Sequence, residues 1–237
     1  MIGFKLINKV KWSKIILMHT SVQNLINIQN EIKSNIKELN KNNYEPKIIA
    51  VSKTFKMNHI HPLIEYGHLH YGENKVQEAI EKWSEIKLKK KDLNLHFLGK
   101  LQTNKVKYVV KIFDYIHSVD NLKLARKIKF EQEKYNKNIK IFIQINLADE
   151  KQKSGISKKD LKVFYNDCLS LNLNVIGLMC LPPENLNPLK FFEELYNLNK
   201  ELNLNEISMG MSADYIDALK FNSTFFRIGS KIFGERI

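Results

Sequence analysis

The chain has 237 residues, 43% of them hydrophobic, enough to bury one sizeable core, and its formal net charge is +13. Its two cysteines, Cys168 and Cys180, cannot build a disulfide framework and lack metal-type Cys/His spacing, which fits a reducing, cytoplasmic setting. No apolar stretch reaches the roughly 18–20 residues that span a bilayer, and lysine is scattered along the chain without interleaved aromatics, so neither a membrane span nor a specific nucleic-acid partner is expected.

Residues 1–20 form a basic extension without a secretory apolar core or small-residue cleavage site. It is expected to be disordered, and Met18 stands as an alternative start. From residue 21 to 237 no Pro/Gly/Ser-rich linker interrupts the chain, so a single domain is expected. A helix is predicted over 21–42, with Val22, Leu25, Ile28, Ile32, Ile36 and Leu39 on one face and Ser21 as its cap.

After this helix, strand-like and helix-like segments alternate. Apolar runs at 47–52, 69–71, 95–98, 115–118, 140–146, 175–178, 206–208 and 225–228 read as strands. Several are continuous and β-branched, as strands buried on both faces should be. Amphipathic stretches at 58–66, 75–87, 103–111, 121–136, 158–171, 188–202 and 212–220 read as outer helices. This alternation predicts an α/β fold, a single (β/α)8 TIM-type barrel with an extra N-terminal helix. An open doubly wound sheet would want a G-x-G-x-x-G turn after the first strand, where the chain has Ser52-Lys53-Thr54-Phe55 instead.

In such barrels catalysis and phosphate binding sit where strands end. Lys53 ends the first strand, Gly72-Glu73-Asn74 follow the second, Gly99-Lys100-Leu101-Gln102 the third, and Asn146 the fifth. Ser208-Met209-Gly210-Met211-Ser212 and Arg227-Ile228-Gly229-Ser230 end the last two. Ring closure would bring the last strand beside the first, setting an amine opposite an anion seat. Burial would favour the neutral, nucleophilic form of the lysine. The amides of Gly229 and Ser230, with the Ser212 hydroxyl, would face a phosphate monoester. That pairing suits a phosphorylated aldehyde held as a Schiff base. Each residue has a plainer reading: a solvated lysine, a turn and helix cap at 208–212, an ion-pair partner at Arg227. His96 reads as a hydrogen-bonded core residue, and His70, Tyr71 and Met179 as packing.

These segments resemble the YggS/PROSC family, the pyridoxal 5'-phosphate (PLP) homeostasis proteins. The resemblance is carried by Ile49-Ala50-Val51-Ser52-Lys53-Thr54, His70-Tyr71-Gly72-Glu73-Asn74, His96-Phe97-Leu98-Gly99 and Leu101-Gln102-Thr103-Asn104-Lys105. His117-Ser118-Val119-Asp120, the Ser208–Ser212 segment and Arg227-Ile228-Gly229-Ser230 extend it. It implies a barrel like the alanine racemase N-terminal domain, with PLP on Lys53, phosphate at Ser212, Gly229 and Ser230, Asn74 and Met211 beside the cofactor, and Arg227 facing the pyridine nitrogen. It also implies storage or delivery of PLP, with PLP-dependent apo-enzymes as partners and at most weak catalysis; a monomer is expected because no long exposed apolar stripe appears in the sequence. An arginine at the ring nitrogen disfavours the protonated ring that serves as electron sink. The alternative is a PLP-dependent racemase, whose second base would be sought in Tyr71 or Cys180. A PLP-free Schiff-base aldolase is a further alternative.

Overall fold

The computed structural model describes residues 18–150 and 153–235. Of the extension 1–20, expected to be disordered, residues 1–17 lie outside the described residues, and the expectation is corrected at its end: His19 caps and Thr20 opens the first helix. The first helix, α1 (Thr20–Glu38), buries Val22, Leu25, Ile28 and Ile32 along one face. Its cap differs from expectation. The His19 ring accepts the Ser21 amide at 3.2 Å, and Ser21 sits buried within the first turn. An imidazole nitrogen thus does the work usually given to a hydroxyl or carboxylate.

Eight parallel strands close into one barrel in chain order. They are β1 (Lys47–Val51), β2 (His70–Glu73), β3 (Asn94–Phe97), β4 (Tyr115–Val119), β5 (Lys140–Ile145), β6 (Asn174–Cys180), β7 (Glu206–Met211) and β8 (Phe225–Ile228). The outer layer holds α2 (Met57–Tyr66), α3 (Val76–Lys89), α4 (Val106–Ile112), α5 (Leu122–Lys134), α6 (Leu161–Ser170), α7 (Leu189–Glu201), α8 (Tyr215–Leu219) and the short α9 (Ser230–Phe233). The predicted (β/α)8 barrel with an added first helix is therefore the fold observed.

Closure is made by β1 and β8, with Lys47 opposite Phe225 and Ala50 opposite Ile228. Apolar side chains on both faces of each strand create two cores. One fills the layer between barrel and helices; the other, inside the barrel, contains Ile49, Val51, Tyr115, Phe142, Met179 and Phe225. The period-two alternation of strands puts His117 above Tyr115, Gln144 above Phe142 and Arg227 above Phe225 along the barrel interior.

β1, β3 and β5 end one residue before their predicted ends, whereas other strands run further than predicted. β2 continues through Gly72 and Glu73, β6 to Cys180 and β7 to Met211. Register shifts between Ser208 and Met211 where β7 meets β8, and Gly210 within that irregularity adopts φ +87°. A Cβ there would lie 2.9 Å from the Ala218 Cβ, so glycine suits both the backbone and the space. The bulge sets how Met211 and Ser212 leave the strand.

Candidate functional site

The C-terminal ends of the strands open into a cavity of about 1180 Å³. Lys53, Asn74, Met211, Ser212, Arg227, Gly229 and Ser230 all line it. Segments as far apart as β1 and β8 share this rim because those strands are hydrogen-bonded neighbours.

Lys53 follows β1 in a tightly held loop. The next residue, Thr54, has φ +70°, a rare conformation for a β-branched residue, and its amide donates to the Glu78 carboxylate at 2.6 Å. The Lys82 ammonium donates to the carbonyls of Ser52 at 2.8 Å and Phe55 at 3.2 Å, fixing the loop on both sides of Lys53. Lys82 is itself anchored on Glu73 at 2.8 Å and Glu78 at 2.7 Å.

Across the β1–β8 seam, the amides of Gly229 and Lys231 donate to the Ser212 hydroxyl oxygen at 3.3 and 3.4 Å. Two amide donors that follow β8 thereby converge on the hydroxyl that follows β7. A side chain on Gly229 would place its Cβ 3.4 Å from the Val51 carbonyl oxygen, so the backbone there runs close to β1. Asn74, after β2, has a buried side-chain oxygen without a hydrogen-bond partner.

Arg227 is only 5% exposed and is held by neutral acceptors. Its Nη1 donates to Ser208 Oγ at 2.6 Å and its Nη2 to the Cys180 carbonyl at 2.9 Å. Burial lowers its pKa below the ordinary arginine value. The ion-pair reading of this arginine is corrected: among the described residues these two hydrogen bonds, not a carboxylate, hold the guanidinium.

Gly99, Lys100 and Asn146 line the cavity as their strand-end positions suggested. Gln102 is exposed outside it, and Glu73 points into the barrel–helix layer, where it accepts from Ser52 Oγ at 2.7 Å and Trp83 Nε1 at 3.0 Å. The two candidates for a second base are also displaced. Tyr71 is fully buried against Trp83, ring centroids 4.7 Å apart, and the buried Cys180 thiol is pushed up to about 12 by desolvation. Neither lines the cavity.

The expectation that His96 is a hydrogen-bonded core residue holds. It lies in a row that sequence reading did not connect: His70, His96, His117 and Ser208, ending at Arg227. These residues come from β2, β3, β4, β7 and β8. Their only sequence cue is a polar residue inside each apolar run.

Residues 28–237 match the family described as alanine racemase, N-terminal domain. A pyridoxal phosphate homeostasis protein of Synechocystis sp. is 37% identical over 81% of this chain and 92% of its own length. Among solved structures, PipY of Synechococcus elongatus PCC7942 without PLP superposes with a TM-score of 0.81 at 30% identity, covering 91% of this chain and all of PipY. The PLP-bound form of PipY gives 0.75 at 32% identity, over 86% of this chain and all of PipY. The chain belongs to the alanine racemase N-terminal-domain family and, within it, to the pyridoxal phosphate homeostasis proteins.

Proposed function

We propose that this protein binds PLP through a Schiff base on Lys53 and serves vitamin B6 homeostasis by storing or delivering the cofactor, with little or no turnover. The observation that carries the reading is that one cavity is lined by Lys53 and, across the β1–β8 seam, by Ser212 and Gly229, whose hydroxyl and amide meet there. The residues suit the group. The Ser212 hydroxyl and the backbone at Gly229 and Ser230 would take the phosphate, and the unpartnered Asn74 side-chain oxygen marks a place for a polar group on the cofactor side. Met211 adds an apolar wall.

When bound, PLP supplies an aldehyde that condenses with the lysine amine with loss of water. Arg227 would face the pyridine nitrogen. A guanidinium only donates hydrogen bonds and carries positive charge, so it opposes protonation of that nitrogen and weakens the ring as an electron sink. This favours holding the cofactor over transforming amino acids. The PLP-bound neighbour and the relatives named for PLP homeostasis support the same reading. Apo-enzymes that need PLP are the proposed recipients, and a cytoplasmic monomer is the proposed form. Among the described residues no helix is long and apolar enough to cross a membrane.

The test is to load the protein with PLP, reduce it with borohydride and map the adduct by mass spectrometry. The adduct is expected on Lys53 and is lost in Lys53→Ala. A phosphopyridoxyl group on another lysine, with Lys53 unmodified, overturns the assignment.

A further inference from the structure

A continuous line of hydrogen bonds crosses the barrel interior from the cavity towards its opposite end. Arg227 Nη1 is 2.6 Å from Ser208 Oγ, which is 2.8 Å from His117 Nδ1. His117 Nε2 is 2.9 Å from His96 Nδ1, and His96 Nε2 is 3.0 Å from His70 Nδ1. Ser208, His96 and His117 are buried.

The direction of this line follows from Arg227. A guanidinium cannot accept, so Ser208 Oγ is the acceptor of that contact. The remaining Ser208 partner is His117 Nδ1. If Nδ1 also carried a hydrogen, Ser208 Oγ would accept from both partners and its own buried proton would have no acceptor between them. The satisfied arrangement has Ser208 donating to His117 Nδ1. The hydrogen on His117 is then on Nε2 and donates to His96, whose own Nε2–H donates to His70. Every member donates away from Arg227.

The rings are also fixed in plane. His117 stacks on Phe142 at 4.3 Å, and His96 on Tyr115 at 4.1 Å. Burial first, and the Arg227 charge second, keep His117 well below the usual histidine range, so the acceptor at Nδ1 persists at neutral pH. Donation by the Ser208 hydroxyl into this acceptor makes its oxygen a better partner for the guanidinium, because linked hydrogen bonds polarise one another.

We infer that His117 is a positioning residue for Arg227, acting through Ser208 at the head of this one-directional chain, so that the guanidinium holds its place at the cavity without a carboxylate. The effect on the cofactor rests on the PLP reading; the chain itself does not.

Two measurements separate these claims. In the PLP-free wild-type protein, two-bond 1H–15N NMR of labelled histidines is expected to report the Nε2–H tautomer for His117, His96 and His70. An Nδ1–H tautomer at His117 overturns the inference whatever the protein binds. PLP is then titrated into His117→Phe and His117→Gln, following the Schiff-base absorbance. Phe keeps the stack on Phe142 but removes the acceptor, and about tenfold weaker binding with a displaced absorbance band is expected, the size of one lost hydrogen bond. The side-chain amide of His117→Gln can accept from Ser208 and donate to His96, so it should restore both affinity and band. Ser208→Ala, a smaller change, should reproduce the Phe result. Variants that lose thermal stability but keep wild-type affinity and spectrum would assign His117 to packing alone and overturn the inference. Wild-type protein that takes up no PLP removes the cofactor reading, and the tautomers alone then decide on the chain.

Discussion

The Lys82 ammonium lies 2.8 Å from the Glu73 carboxylate, and the same ammonium grips the Ser52 and Phe55 carbonyls on either side of Lys53. The side chain of Glu73 is fully buried and that of Lys82 is 10% exposed, so the pair is a structural pin beneath the loop that carries Lys53. Removing one partner strands the other. Lys82→Met should lower stability by about 3–5 kcal/mol in urea titrations, and Lys82→Met/Glu73→Gln should recover part of that loss. A single variant within about 1 kcal/mol of wild type, the range of an exposed pair, contradicts the pin.

Gly99 governs Asn74 by contact. A Cβ at position 99 would lie 2.2 Å from the Asn74 carbonyl oxygen, a backbone atom that can yield only by moving the loop after β2. Gly99→Ala should therefore cost about 1–3 kcal/mol by overpacking and weaken PLP binding as well. Thermal melts with a parallel PLP titration check it, and unchanged values in both would show that the loop relaxes freely.

Ser212 should matter for the phosphate and not for the aldehyde. Ser212→Ala is expected to weaken PLP binding about tenfold, as for one hydrogen bond to a charged group, while leaving the weaker binding of pyridoxal unchanged. Equal losses for both ligands would place Ser212 outside the phosphate seat.

Acid should destabilise the fold before carboxylates titrate. Burial, foremost, lowers His68 and His70 to about 4; for His70 the charges of His68, Lys47 and Lys140 add to it. Unfolded histidines titrate near 6.5, so between about pH 6.5 and 4 the unfolded chain binds protons the folded one refuses. Stability rises with pH across that window and falls on acidification, on the order of 1–3 kcal/mol per histidine. Urea midpoints at pH 7.5 and 5.0 test this; a midpoint that stays constant or rises in acid rules it out.

Much of the barrel was legible because its strands are buried on both faces and read as unbroken apolar runs. β8 matched at both ends, whereas β2 ran further because ladder pairing continues through the non-apolar Gly72 and Glu73, and β6 and β7 ran on to Cys180 and Met211, past the β-branched part of each run. The stretch 212–220 overstated α8, since the Asp214 side chain accepts the Met211 amide at 2.6 Å and shapes a turn ahead of the helix. The rim was legible through strand ends alone. The Lys82 pin was hidden as one basic residue among 38, and the histidine row because its members come from separate strands whose stagger no single sequence reveals.

The seam between Lys47–Val51 and Phe225–Ile228 also orders events in time. A chain emerging from the ribosome exposes Lys53 early, and a ligand bridging it to the backbone near 229, as proposed above, would have to wait until the ring has zipped shut. Competence to capture such a ligand would thus be withheld until the strand pairing of greatest sequence separation among the described residues is complete.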